Sequence, residues 1–295
     1  MIDLTKTNMS AIRLIKNEDI DTILWDRCIA RSQNGDVFGY SWFLDSVCKE
    51  WAGIVKDNYQ AVMPIPLHSL WRFQSVRNYK FQNKTDIYAP KEIPSETKNE
   101  FLRIAETVFK SVTFSSENKS LAKAKSKIKS FYSWKLDLIR PYKDINHSDT
   151  DFIIKQLNSS ESNKIFFNTG ILPNGITLLS SLTKTLIKKD IDTLRRLAAV
   201  SLRKNLGQIY GAFNEQNRLI AAVLFISSHY KVNIIHTVQT KEAESKKALY
   251  GLIDYYIKQH SEKALTLDFF GLSNFPDQFF TEMGAVKYPW YKIRL

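Results

Sequence analysis

Cysteine is scarce in this chain, glycine is sparse and long apolar runs are missing; each shortage closes off a class of protein. Only Cys28 and Cys48 occur among 295 residues, so there is no disulfide framework and no cysteine spacing suited to a metal. Both lie in helix-like contexts, Leu24-Trp25-Asp26-Arg27-Cys28-Ile29 and Leu44-Asp45-Ser46-Val47-Cys48. They read as inert core thiols, which fits a reducing cytoplasm. The longest apolar run, Leu219 to Ile226, suits a buried strand and falls far short of a bilayer span. Met1 to Ser10 is polar and has no apolar core, so no signal peptide is expected and the predicted location is cytoplasmic. There is no P-loop, HExxH, CxxC pair or GxGxxG. Gly271-Leu272-Ser273 fails as a nucleophile elbow because Phe275 stands where the second glycine belongs. Hydrolase, metalloenzyme and nucleoside-triphosphatase readings lose their support, and no metal is expected.

Apolar material is plentiful: 44% of the chain is hydrophobic and 13% aromatic, enough for a sizeable core at a length where single cores usually split in two. The net charge of +12 speaks to partners and not to fold; anionic substrates, nucleotides, RNA and anionic membrane all gain plausibility. Lys119 to Lys129 is the densest positive run, and Arg195, Arg196, Arg203 and Lys204 form a second basic stretch.

Periodicity predicts a short strand at Ala11 to Ile15, helices through about Arg31 and over Ser41 to Lys49, and a hairpin of Trp51 to Val55 with Tyr59 to Ile65 turning at Lys56-Asp57-Asn58. Pro64 and Pro66 are expected to end that second strand or hold it at an edge. The stretch to Ala89 reads as irregular. A helix over Pro94 to Lys110 and strands at Ser111 to Ser115 and Phe131 to Leu138 complete a first half, and Arg140 to Asp149 reads as a linker. In the second half, helices are expected near Asp151 to Leu157, over Ile176 to Lys188 and over Ile191 to Arg203, with a strand at Lys164 to Asn168. Two hairpins follow, Gln208 to Phe213 with Leu219 to Ile226 and on to Lys231 to Thr237. A helix then carries Leu249, Leu252, Ile253, Tyr256 and Ile257 on one stripe. A buried strand at Ala264 to Phe270, a short helix from Phe275 to Met283 and a strand from Val286 to Ile293 end the chain.

The order of elements from Gln208 to Leu295 resembles the Gcn5-related N-acetyltransferase (GNAT) fold, and more closely its FemAB-like variant of acyl and aminoacyl transferases. The residues that carry this are Gly211-Ala212-Phe213, Leu219 to Phe225, Leu249-Tyr250-Gly251-Leu252-Ile253-Asp254, Leu267-Asp268-Phe269-Phe270-Gly271 and Phe279-Phe280-Thr281-Glu282-Met283-Gly284-Ala285. Trp25 to Ser32, Ser41 to Asp45 and Asn58 to Pro66 look like a diverged first copy. The resemblance implies an α/β (α+β) protein of two tandem GNAT-like domains, residues 1–143 and 144–295, with mixed sheets flanked by helices.

It further implies transfer of an acyl or aminoacyl group from a CoA thioester, acetyl-CoA for example, or from an aminoacyl-tRNA to a small-molecule or peptide amine. On that reading Asp268 orients or deprotonates the amine. His236 lies on the strand that splays to admit the donor, Tyr250 gives a proton, and Ile235, Thr237, Val238, Lys246, Lys247 and Asn274 hold the donor. Tyr288 and Tyr291 line an acceptor groove. One departure stands out: GNAT enzymes carry a glycine-rich phosphate cradle before the central helix. Here that place reads Thr240-Lys241-Glu242-Ala243-Glu244-Ser245-Lys246-Lys247, without glycine, although the two lysines offset the two carboxylates. That departure supports an alternative, a non-catalytic binding module on the same fold; RNA association through the basic stretches is a third reading.

Overall fold

The computed structural model describes residues 11–70, 73–145, 158, 164–270, 272 and 275–295. The helix expected at Asp151 to Leu157 and the candidate Asn274 lie outside them. The chain forms two compact units, Met1–Lys129 with Tyr291–Leu295, and Ser130–Trp290; the sequence reading places its break at 143/144.

In the first unit, β1 (Ile12–Lys16), β2 (Glu50–Lys56), β3 (Ala61–Leu70), β4 (Phe73–Val76) and β5 (Ser111–Ser116) lie side by side in that order. Helices α1 (Thr22–Arg31), α2 (Ser41–Val47) and α3 (Ser95–Val108) accompany them. Asp21 caps α1 by accepting from the Ile23 and Leu24 amides, as expected for an acidic N-cap. Trp25, Ile29, Phe43, Ile54, Met63, Phe101 and Phe114 are buried.

The two prolines neither end β3 nor confine it to an edge. Pro64 lies opposite Gly53 and Pro66 opposite Trp51, and the strand then pairs with β4 through Leu70. Val62, at the same alternation, exchanges both backbone bonds with Tyr88. Pro64 and Pro66 therefore turn their missing N–H away from the β2 ladder, which loses nothing.

The segment read as irregular is ordered by tertiary contacts. β4 and β5 run parallel for only two pairs, Ser75 with Ser111 and Val76 with Val112. Beyond them residues 78–89 fill the gap: the Thr85 amide donates to the Ser115 carbonyl at 2.8 Å, and Asn78 Oδ1 accepts from the Ser115 amide at 2.9 Å. Lys84 and Asp36 form a buried ion pair at 3.0 Å within this packing.

In the second unit the strand order is the first part of β12 (Val286–Arg294), then β6 (Lys127–Asp137), β11 (Thr266–Asp268), β10 (Lys231–Gln239), β9 (Leu219–Ser228), β8 (Gly207–Phe213) and β7 (Phe166–Asn168). The helices are α4 (Tyr142–Ile145), α5 (Pro173–Leu182), α6 (Lys188–Arg203), α7 (Lys241–Ser245), α8 (Ala248–His260) and α9 (Asp277–Glu282). Leu249, Leu252, Ile253, Tyr256 and Ile257 of α8 pack with Val223, Phe225, Val232, Ile234 and Leu267 of the sheet, as their spacing predicts. Tyr256 stacks on Phe225 at 3.8 Å between ring centroids. Helices α5 and α6 contact β8, β9 and β10.

Candidate functional site

A parting of strands positions the site. β10 and β11 are parallel neighbours over three pairs only, Lys231–Thr266, Val232–Leu267 and Asn233–Asp268. β11 stops there, while β10 runs on to Gln239 with a bulge between Ile234 and His236. The bulge bends the strand and re-aims the residues after it. A wedge opens between the two strands, next to the N-terminus of α8. At its head lies a cavity of about 300 Å³ lined by Thr185, Thr237, Val238, Gln239, Glu244, Lys247, Leu249, Tyr250, Leu272 and Phe275.

The helix end at this cavity is built without glycine. Thr240 Oγ1 caps α7 by accepting from the Ala243 amide. Lys247, at φ 56°, takes the left-handed turn into α8, a conformation that costs a lysine more than it would cost a glycine. The Glu242 carboxylate accepts from Lys246 Nζ at 3.0 Å and from Asn214 Nδ2, and these partners hold its pKa below the usual range, Lys246 foremost. One of the two carboxylates noted in the sequence is thus paired; the other, Glu244, lines the cavity. Lys246 is engaged with Glu242, whereas Lys247 faces the cavity. Tyr250 packs against Phe275 and Phe279, and burial pushes its phenol above the ordinary value of 10.

Three other predicted residues share one face of the sheet. Val232, Ile234, Leu267, Leu136 and Trp134 belong to or pack on the core beneath α8. Strand alternation therefore sends Asn233, Asp268, Ser133 and Lys135 to the opposite face. The bulge brings His236 to that face too, opposite Leu224. There the Ser180 hydroxyl donates to the Ile176 carbonyl, and its oxygen shares a hydrogen bond with His236 Nε2 at 2.9 Å. Asp268 is buried, accepts through Oδ1 from Ser133 Oγ and the Phe270 amide, both at 2.9 Å, and has Lys135 Nζ 3.9 Å from Oδ2. Lys135 Nζ also lies over the Tyr288 ring, 4.7 Å from its centroid.

Thr237, Val238, Lys247 and Tyr250 are thus brought together around the cavity; Asp268 and Tyr288 meet at Lys135, and His236 lies further along β10 on the same face, against Ser180. Ile235 is buried and does not line the cavity. Tyr291 falls in the first unit, beneath Lys119 and against that unit's core. Sequence reasoning missed Ser133 and Lys135, which the alternation of the strand predicted at Phe131 to Leu138 would have revealed, and Thr185, for which no sequence signal exists. Among the described residues no group of three or more His, Cys, Asp or Glu is arranged to hold a metal ion, and no helix is long and apolar enough to cross a membrane.

Two tandem GNAT-like units of FemAB type are the fold these features define. Solved structures share it: FemX (10% identity, TM-score 0.62, covering 95% of this chain and 96% of that one) and L-PGS from Bacillus licheniformis (11%, 0.58, 92% and 91%). A tandem GNAT protein from the clavulanic acid biosynthesis pathway, in a form without AcCoA, aligns at 9% identity and TM-score 0.51 over 96% and 98%. No family model and no curated protein matches the sequence. At such identities the likeness is one of fold.

Proposed function

We propose that the second unit transfers an acyl or aminoacyl group to an amine. The observation that carries this reading is the wedge where β10 outruns β11, with its cavity of about 300 Å³ against the N-terminus of α8. An extended thioester or ester arm fits between parted strands, where the unpaired edge of β10 offers backbone donors and acceptors. The α8 N-terminus and Lys247 favour a phosphate at the outer end. FemX, L-PGS and tandem GNAT proteins have this fold, which supports a CoA thioester or an aminoacyl-tRNA as donor.

The amine approaches from the polar face. Its nitrogen attacks the carbonyl carbon, forming a C–N bond. The C–S or C–O bond of the donor breaks, the attacking nitrogen sheds one proton and the leaving sulfur or oxygen gains one. Asp268, oriented by Ser133, the Phe270 amide and Lys135, takes one proton from the incoming ammonium so that a neutral amine attacks, and His236, further along the same face, takes the proton shed on attack. Tyr250, a phenol protonated at neutral pH and raised further by burial, supplies the proton to the leaving group. Tyr288 borders the acceptor. The absence of glycine from residues 240–247 and the carboxylate of Glu244 at the cavity favour a second reading, a non-catalytic binding module. RNA association through both basic stretches joins residues that fall in separate units.

Turnover decides between the first two readings. In an amine screen with acetyl-CoA, longer acyl-CoAs and charged tRNA, the transferase reading predicts donor-dependent amide formation. Tyr250→Phe is expected to lower kcat about a hundredfold with KM little changed, the usual size of a general-acid contribution. Donor binding without turnover in any pairing would favour the binding module.

A further inference from the structure

The corner between α5 and α6 carries side chains that the transfer chemistry does not use. Leu178 and Leu182, one turn apart on α5, are 61% and 71% exposed, and Ile187, across the turn at the start of α6, is 68% exposed. The turn between them is tight: the Lys184 amide donates to the Ser181 carbonyl at 3.1 Å and the Thr185 amide to the Ser180 carbonyl at 3.2 Å. Lys184, Lys188 and Lys189 are exposed around these apolar residues. From Gly170 to Lys189 the chain carries those three lysines and no carboxylate.

Large apolar side chains gathered at a helix corner beside three exposed lysines, with Asp190 the nearest carboxylate in the chain, do not suit an aqueous surface; single exposed leucines are ordinary, but this corner carries several. The combination suits the boundary of an anionic bilayer, where apolar tips enter the acyl region and lysines meet lipid phosphates. Position adds an argument, for Thr185, in the middle of the corner, also lines the cavity at the wedge.

We propose that the α5–α6 corner docks the protein on anionic lipid surfaces through Leu178, Leu182 and Ile187, with Lys184, Lys188 and Lys189 supplying the attraction. The proposal does not depend on the transferase reading, since it concerns adsorption and not turnover.

The test is sedimentation of the full chain with phosphatidylcholine vesicles, with and without about one third phosphatidylglycerol. The expected result is co-sedimentation with the anionic vesicles alone, weakening as salt rises. The triple variant Lys184→Glu, Lys188→Glu, Lys189→Glu should reduce partitioning at least fivefold per lysine, on the order of a hundredfold together. Leu178→Ser with Leu182→Ser should reduce it about tenfold or more while leaving the salt dependence in place, and both variants should melt like the parent chain because the altered side chains are exposed. Equal binding to neutral vesicles, or no binding to either kind, overturns the proposal. So does loss with the lysine variant alone and none with the leucine variant, which would mark a purely electrostatic surface of the kind nucleic acid uses.

Discussion

Lys84 shows how a buried charge is made tolerable. Burial alone would lower its pKa, but Asp36 first, then Tyr88, Glu117 and Asp86, outweigh that cost and hold it well above the ordinary lysine value. A raised ammonium pKa stabilises the fold below the unfolded value, so the contribution is present at neutral pH and is lost only as pH climbs through the raised value. Lys84→Met leaves the Asp36 carboxylate buried without its cation and should cost about 3–5 kcal/mol in denaturant unfolding, whereas Lys84→Met with Asp36→Leu should regain much of that loss. The thiols are shielded instead of paired. Burial pushes Cys28 up to about 11 and Cys48 higher still, so at pH 8 neither is a thiolate. A disulfide-exchange reagent should titrate no thiol in the native chain within minutes and two after unfolding in guanidinium.

At the scale of elements, the legible parts were those whose order is local. The stripe Leu249, Leu252, Ile253, Tyr256 and Ile257 has the helix period, and α8 forms there. The hairpins β8–β9 and β9–β10 follow from apolar runs broken at residues 214–218 and 229–230. Residues 78–89 carry no period, because their order comes from distant partners: Asn78 and Thr85 at Ser115, Lys84 at Asp36. Pro64 and Pro66 misled because a proline's effect depends on which side of the strand its nitrogen faces, and only pairing settles that. The site was legible in the same uneven way. Asp268, His236 and Tyr250 sit at predicted strand and helix positions, but the bulge that turns His236 toward Ser180 and the turn that brings Thr185 to the cavity belong to the assembled sheet.

For the molecule as a whole, the two units differ where they are most alike. Each has a parallel pair of strands that parts after a few residues, β4 with β5 and β10 with β11. In the first unit residues 78–89 occupy the gap and pin it with the buried Lys84–Asp36 pair; in the second the gap stays open at the cavity. On the proposed transferase reading, one donor per chain is expected, bound in the second unit. Isothermal titration with acetyl-CoA, a long-chain acyl-CoA and a non-hydrolysable aminoacyl-tRNA analogue tests this most directly, run beside Thr237→Trp, which places an indole at the cavity wall. The account predicts a stoichiometry of one for at least one donor, with affinity reduced tenfold or more in the variant. A stoichiometry of two, undiminished binding to Thr237→Trp, or no heat from any of the three would contradict it.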